Sequence, residues 1–301
     1  SMRLAINAVS DGEAAAVISA GNTGALMAMA KFVLKTLPGI DRPAIATYFP
    51  TIRGATVMLD LGANVDCNED NLVQFAVMGE VYARNVSGIE NPSIGLLNVG
   101  QEDLKGNQAV RGAAEILRTC GLPIDFYGFV EGDDIAKGTV DVIVTDGFTG
   151  NVALKTAEGM SSLFSFLLKD ALTSSIFAKL GALIARPALM RFKEKFDPRK
   201  YNGAMFVGLN GICVKSHGGT DGIGFANAIK VALTLVANNF NEGIKEDVAK
   251  LLIDDDPPAT INPDPKNPGT FYKNRMDMKN PLRFDKLCFM DAAEEMGMFK
   301  K

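Results

Sequence analysis

Short apolar runs that close on glycine-rich polar turns constrain this chain more than any other feature. Runs over residues 15–19, 56–61, 94–99, 124–130 and 140–145 alternate with helical periodicity over 24–37, 71–85, 107–119 and 222–239. Runs that are apolar at nearly every position suit strands covered on both faces. With helical crossovers between them they predict an α/β fold, a mostly parallel sheet with helices on both faces. The chain opens on an amphipathic helix with no strand before it, and no secretory signal is read there.

Two regions break the alternation. Residues 160–196 read as a protruding helical hairpin rich in Phe, Leu, Ile and Ala. Its break falls near Thr173-Ser174-Ser175, Pro187 bends or interrupts its second helix, and its end is basic. Beyond Leu252 the chain turns acidic and proline-rich. The expected organisation is therefore an α/β domain over 1–252, incomplete at its N-terminal side, with a linker and polar tail over 253–301.

Composition narrows the function classes. A net charge of -4 gives no basic excess for nucleic acid. Cys67, Cys120, Cys213 and Cys288 are widely spaced, and His217 is the only histidine, so neither a disulfide framework nor a metal site is expected. Reduced thiols in a cytosolic protein fit better. Lys169, Asp170 and Lys179 interrupt the most apolar stretch, so no bilayer span is expected.

The candidate chemistry lies in the turns. Four of them are Ser19-Ala20-Gly21-Asn22-Thr23-Gly24, Asp60-Leu61-Gly62-Ala63-Asn64-Val65-Asp66, Asn98 through Lys105-Gly106-Asn107, and Thr145-Asp146-Gly147-Phe148-Thr149-Gly150-Asn151. In a parallel sheet all four share one edge, where open α/β sheets bind ligands. Glycine admits close backbone approach, and helix-start N–H groups favour phosphate oxygens. Any one turn is equally a tight strand-to-helix connection with an Asn or Asp cap. Lys105 suits a phosphate or a developing oxyanion as a point charge, and equally a solvated loop lysine. His217, in Ser216-His217-Gly218-Gly219-Thr220-Asp221, reads either as structural or as part of another anion-binding helix start.

Taken together and in order, these words resemble the PlsX family of acyl-acyl carrier protein:phosphate acyltransferases. Gly39-Ile40-Asp41-Arg42-Pro43-Ala44 and the His217-Gly218 loop belong to the same pattern, which runs to about residue 247. The resemblance implies a Rossmann-like fold similar to phosphotransacetylases and isocitrate-dehydrogenase-like enzymes. It implies attack of inorganic phosphate on the thioester of a long-chain acyl-acyl carrier protein, with no cofactor and no metal. Lys105, Asn151, Asp146 and His217 then become catalytic candidates. Gly21, Asn22, Thr23, Gly24, Asn64, Asp66, Asn107, Gly150 and Thr220 become phosphate- or substrate-binding candidates. A homodimer, and a cytoplasmic enzyme touching the membrane through residues 160–196, are implied as well. The acidic carrier protein would need a basic acceptor, with Arg84, Arg191, Lys193, Lys195, Arg199 and Lys200 as possibilities.

Two departures qualify the match. The family's opening strand and Asp-Ala-Met-Gly-Gly-Asp loop are not found, and Gly219-Thr220 replaces a more usual Ser-Ser or Ser-Ala pair. Competing readings are a phosphotransacetylase-like enzyme using acyl-CoA and a non-catalytic membrane-surface scaffold for lipid-synthesis enzymes. A nicotinamide dehydrogenase lacks its GxGxxG word here.

Overall fold

The computed structural model of the protein describes residues 1–119, 124–195 and 197–245. Its strands are β1 (Ala16–Ser19), β2 (Ala44–Thr51), β3 (Gly54–Leu59), β4 (Ser93–Leu97), β5 (Asp125–Val130), β6 (Val142–Val144), β7 (Ala204–Val207) and β8 (Ile212–Lys215). They form one sheet in the order β1-β8-β7-β2-β3-β6-β4-β5. The helices are α1 (Met2–Ser10), α2 (Thr23–Leu34), α3 (Glu69–Tyr82), α4 (Gln108–Thr119), α5 (Gly132–Lys137), α6 (Gly147–Thr173), α7 (Ile176–Lys195) and α8 (Gly222–Ala237).

Strand periodicity explains the two-sided packing. Val57 and Leu59, Val142 and Val144, and Met205 and Val207 enter one apolar cluster. Met58, Ile143 and Phe206, the residues between them, enter a second. The first cluster holds side chains of α3, α4 and α8. The second holds side chains of α1, α2 and α5, with Ala153 and Leu154 of α6 packed against it. This is the expected α/β architecture with helices on both faces.

The sheet is mostly parallel, as expected, but mixed, and that corrects the expectation that all four turns share one edge. Pairs β1–β8, β3–β6, β6–β4 and β4–β5 are parallel, but β8–β7, β7–β2 and β2–β3 are antiparallel. Strands β3, β4 and β6 therefore run opposite to β1 and β8, so the four turns do not all leave one edge. Two strands outside the sequence reading cause the reversal. Strand β2 carries Pro50, which argues against a strand, yet it pairs with β3 through a two-residue turn at Ile52-Arg53. Strand β7 is only four residues long and lies between Gly203 and Gly208.

Helix α6 begins at Gly147, well before residue 160, and breaks from α7 at Ser174-Ser175 as expected. Helix α7 continues through Pro187, so the proline does not interrupt it. Both Pro187 and Leu183, whose carbonyl would have received the missing amide, are exposed. The 253–301 segment lies outside the described residues. Among them, no helix is long and apolar enough to cross a membrane.

Candidate active site

Asp60 organises the first part of the site. It follows β3 and is completely buried. Its Oδ1 accepts the backbone N–H groups of Ile45 at 2.9 Å, Ala63 at 3.1 Å and Gly62 at 3.2 Å. Its Oδ2 accepts the Asn64 backbone N–H at 2.7 Å and Asn64 Nδ2 at 2.9 Å. Burial raises its carboxyl pKa above the usual value, while the amide donors oppose that by favouring the anion. The result is a rigid 60–64 turn, with Asn64 Nδ2 also donating to the Pro43 carbonyl at 2.8 Å.

The start of α6 is fitted onto this turn. The Gly147 N–H donates to the Asn64 carbonyl at 2.7 Å. A Cβ at Gly147 would lie 2.6 Å from that same oxygen, and one at Gly150 would overlap the Asp60 carbonyl. Only glycine permits this approach. One turn along, the Asn151 side chain sits 3.4 Å from where a Cβ on Gly62 would be, and Gly62 itself has φ +121°. Asp146 caps α6: Oδ1 accepts the Thr149 N–H at 2.7 Å and Oδ2 the Thr149 hydroxyl at 2.8 Å. Asn151 is exposed and open to a ligand, whereas Asn64 is buried with both amide hydrogens engaged. Asp66 is exposed, and its carbonyl accepts Arg42 Nη1 at 3.2 Å.

The loop after β4 leaves the same edge as those after β3 and β6, because the three strands are parallel. It is closed by Asn98 Nδ2, which donates to the Lys105 carbonyl at 3.1 Å. Gly106, at φ +92°, lies too close to the Asn98 side chain to carry a Cβ. Lys105 is thus an exposed cation on a tied backbone. Asn107 Oδ1 accepts the Val110 N–H at 2.9 Å at the start of α4.

The remaining candidates gather at the ends of β1 and β8. The Ser216 N–H donates to the Ser19 carbonyl at 2.9 Å, joining the two loops. Asn22 caps α2 by accepting the Ala25 N–H at 3.0 Å, with Thr23 and Gly24 in the first turn. The Gly21 N–H donates to the Ser19 hydroxyl at 3.2 Å. The Gly219 N–H donates to His217 Nδ1 at 3.1 Å, so Nε2 is the ring nitrogen left to meet a substrate. The Thr220 N–H donates to the His217 carbonyl at 3.3 Å. Asp221 caps α8 and pairs with Arg199, which is also held by Asp197.

Two organisers escaped the sequence reading. One is Asp60, whose only signal was its place between a strand and Gly-Ala-Asn. The other is Asn202, which is buried. Asn202 accepts the His217 N–H at 2.8 Å and donates to the Ser216 hydroxyl at 2.9 Å and the Gly224 carbonyl at 2.7 Å. The Asn202-Gly203 dipeptide, with Gly203 at φ +117°, was its signal. Among the basic carrier-protein candidates, Arg84 pairs with Glu80 and Arg199 with Asp197 and Asp221. Burial pushes the Cys67 and Cys213 thiols up to about 12, which makes them poor nucleophiles. Cys120 and Cys288 lie outside the described residues. Among the described residues, no group of three or more His, Cys, Asp or Glu side chains could hold a metal ion.

A family model described as fatty acid synthesis protein matches residues 1–243. The chain belongs to that family, the PlsX family. A phosphate acyltransferase from Paramagnetospirillum magneticum is 63% identical over 270 residues, covering 90% of this chain and 76% of the relative. One from Rhodospirillum centenum is 64% identical over 251 residues, covering 83% and 71%. Among solved structures, a phosphotransacetylase from Streptococcus pyogenes aligns with TM-score 0.49 at 17% identity, covering 82% of this chain and 67% of that one. A branched-chain phosphotransacylase from Enterococcus faecalis V583 aligns with TM-score 0.48 at 13% identity, covering 78% of each.

Proposed function

We propose that the chain transfers a long-chain acyl group from acyl carrier protein to inorganic phosphate, releasing acyl phosphate and free carrier protein for phospholipid synthesis. The observation that carries this reading is the Asp60-braced junction of the 60–64 turn with α6, beside the loop that presents Lys105. Rigid backbone, with an exposed amide side chain and a cation carried on loops of the same sheet edge, suits an anion held against a polarised carbonyl.

A phosphate oxygen attacks the thioester carbon. The carbonyl electrons move to oxygen and form a tetrahedral oxyanion. That intermediate collapses by breaking the C–S bond, and the carrier's thiolate takes up a proton. Phosphate is already a nucleophile, so the protein's task is to orient and to balance charge. Lys105 offsets the charge of phosphate or the oxyanion. Asn151 orients the carbonyl or phosphate, and Asn64 and Asp66 define the turn beneath them. Asp146 acts mainly by fixing the start of α6; the His217 loop leaves the opposite edge of the sheet, and proton transfer by its Nε2 requires the substrate to reach that edge.

The α6–α7 hairpin supports a surface role. Phe166, Ile176, Phe177, Leu183 and Ile184 are exposed. Apolar surface on this scale is suited to a second copy of the chain and, at the tip, to the membrane surface. Such a protein works at the cytoplasmic side of the membrane.

The test is release of free carrier protein from palmitoyl-acyl carrier protein, with and without inorganic phosphate. Phosphate-dependent release is expected. Activity with acyl-CoA and none with acyl-carrier protein would favour the phosphotransacetylase-like alternative. No turnover with either would favour a scaffold.

A further inference from the structure

Arg42 stands just before β2, in the word Gly39-Ile40-Asp41-Arg42-Pro43-Ala44. Strand β2 is antiparallel to β3, so its start lies at the sheet edge where β3, β6 and β4 end. The Leu61 N–H donates to the Ile45 carbonyl at 3.1 Å, which holds the two segments side by side. The backbone on both sides of Arg42 is pinned. The Asp41 N–H donates to Gln74 Oε1 at 3.0 Å, and Gln74 Nε2 donates to Asp41 Oδ2 at 3.0 Å. Lys31 Nζ donates to the Asp41 carbonyl at 2.9 Å, and Asn64 Nδ2 to the Pro43 carbonyl at 2.8 Å. Gln74 is buried, and so is Pro43, whose ring fixes its own φ and biases Arg42 toward extended backbone.

The side chain on this pinned backbone is exposed, and its Nη1 donates to the Asp66 carbonyl at 3.2 Å. The guanidinium therefore lies against the loop whose Asn64 carbonyl receives the Gly147 N–H and whose Gly62 faces the Asn151 side chain. Among the described residues its bond goes to a carbonyl and not to a carboxylate, so its charge is not neutralised by an ion pair. Nearby carboxylates are engaged elsewhere: Asp41 by Gln74, Asp60 by Asn64 and Asp146 by Thr149. A guanidinium is a planar fork of donors that matches two oxygens of a phosphate. We infer that Arg42 binds a phosphate-type oxyanion at this edge. The strand order β2-β3-β6-β4 puts Arg42 on one side of the start of α6 and Lys105 on the other. The inference rests on the acyltransferase reading above and supplies the site's second cation. The bound group is either inorganic phosphate or the phosphate of the carrier protein's thioester arm, which share the same chemistry.

The test uses the full chain with Arg42→Gln, which removes the charge, and Arg42→Lys, which keeps the charge but not the fork. Inorganic phosphate and acyl-carrier protein are varied separately, and thermal unfolding of the free protein is followed against inorganic phosphate. Arg42→Gln should raise the KM for phosphate by about tenfold to a hundredfold, as for one lost hydrogen bond from a charged group, with kcat changed far less. Phosphate should raise the Tm of the parent and not that of Arg42→Gln, and Arg42→Lys should recover part of both readouts. A raised KM for the acyl-carrier protein alone would support the inference and assign the bound group to the carrier's arm. Unchanged KM values for both substrates would overturn it. So would a lower Tm in Arg42→Gln with the phosphate-induced rise intact, since Arg42 would then only brace the Asp66 loop. If phosphate stabilised the parent but not Arg42→Gln while the parent transferred no acyl group, the inference would stand and the acyltransferase reading would fall. Should Arg42→Gln fail to fold, Arg42→Lys carries the same readouts with a smaller expected rise in KM.

Discussion

Helix α3 and the α6–α7 hairpin are both rich in apolar side chains, and the fold treats them in opposite ways. In α3 every residue from Asn71 to Tyr82 is buried, between the sheet and α4. In α6 only Gly147 and Gly150 are buried, and among the described residues α7 buries none. A helix that is apolar around its circumference must be covered by something. The chain itself covers α3. Among the described residues of the hairpin beyond Leu154 none is buried, and this is the surface that the proposed dimer or membrane contact would cover.

The largest contrast should come from truncating one aromatic in each region. Phe75→Ala in α3 should destabilise the fold by about 3–5 kcal/mol in denaturant titrations, since Phe75 is fully buried. Phe177→Ala in α7 should stay within about 0.5 kcal/mol, because its side chain is 86% exposed. Equal losses would break the comparison by showing that the hairpin packs on the core.

Glycine substitutions sharpen it at smaller scale. A Cβ on Gly79 in α3 would lie 2.6 Å from Val142 and 2.9 Å from Leu59, so Gly79→Ala should cost about 1–3 kcal/mol. A Cβ on Gly181 in α7 meets nothing within 4 Å, so Gly181→Ala should stabilise by about 0.5–1 kcal/mol. Unfolding midpoints of the two variants should move in opposite directions.

Charging the hairpin should spare folding and remove its outside partner. Leu180→Glu with Leu183→Glu should lower sedimentation with anionic vesicles by about tenfold while leaving the Tm nearly unchanged. Undiminished vesicle binding would remove the membrane part of the proposal, and the oligomeric state of the same variant would then test the dimer part.

The smallest effect lies at the foot of the hairpin, where Arg199 holds the Asp197 carboxyl down to about 2, from an ordinary 3.8. A depressed carboxyl pKa contributes stability that is complete above the unfolded value and is lost as pH falls through the folded one. The stability gap between the parent and Asp197→Asn should therefore be constant at neutral pH and close between about pH 4 and pH 2. A gap that persisted at pH 2 would mean the pair acts through packing rather than charge.

Much of the fold was legible in the sequence because strand and helix periods are local. The runs at 15–19, 56–61, 94–99, 124–130 and 140–145 became β1, β3, β4, β5 and β6, and α2, α3, α4 and α8 fell close to their expected places. Strand direction was not legible. It depends on β2 and β7, one marked by Pro50 and the other only four residues long, and it separates the His217 and Asn22 loops from the Asn64, Lys105 and Asn151 loops. The organisers Asp60 and Asn202 were hidden for a related reason. Their importance comes from burial and from hydrogen bonds to distant segments, such as Ile45 and Gly224, that no local pattern records. The caps were legible as alternatives: Asn22 and Asp146, both candidate site residues, do cap their helices, and so does Asp221 beside Thr220.

The central claim is that phosphate itself becomes the acyl acceptor. The direct measurement incubates the chain with palmitoyl-acyl carrier protein and radiolabelled inorganic phosphate, then resolves the products. The account predicts labelled palmitoyl phosphate formed in equal amount with free carrier protein. Release of unlabelled palmitate at the same rate with or without phosphate would contradict it.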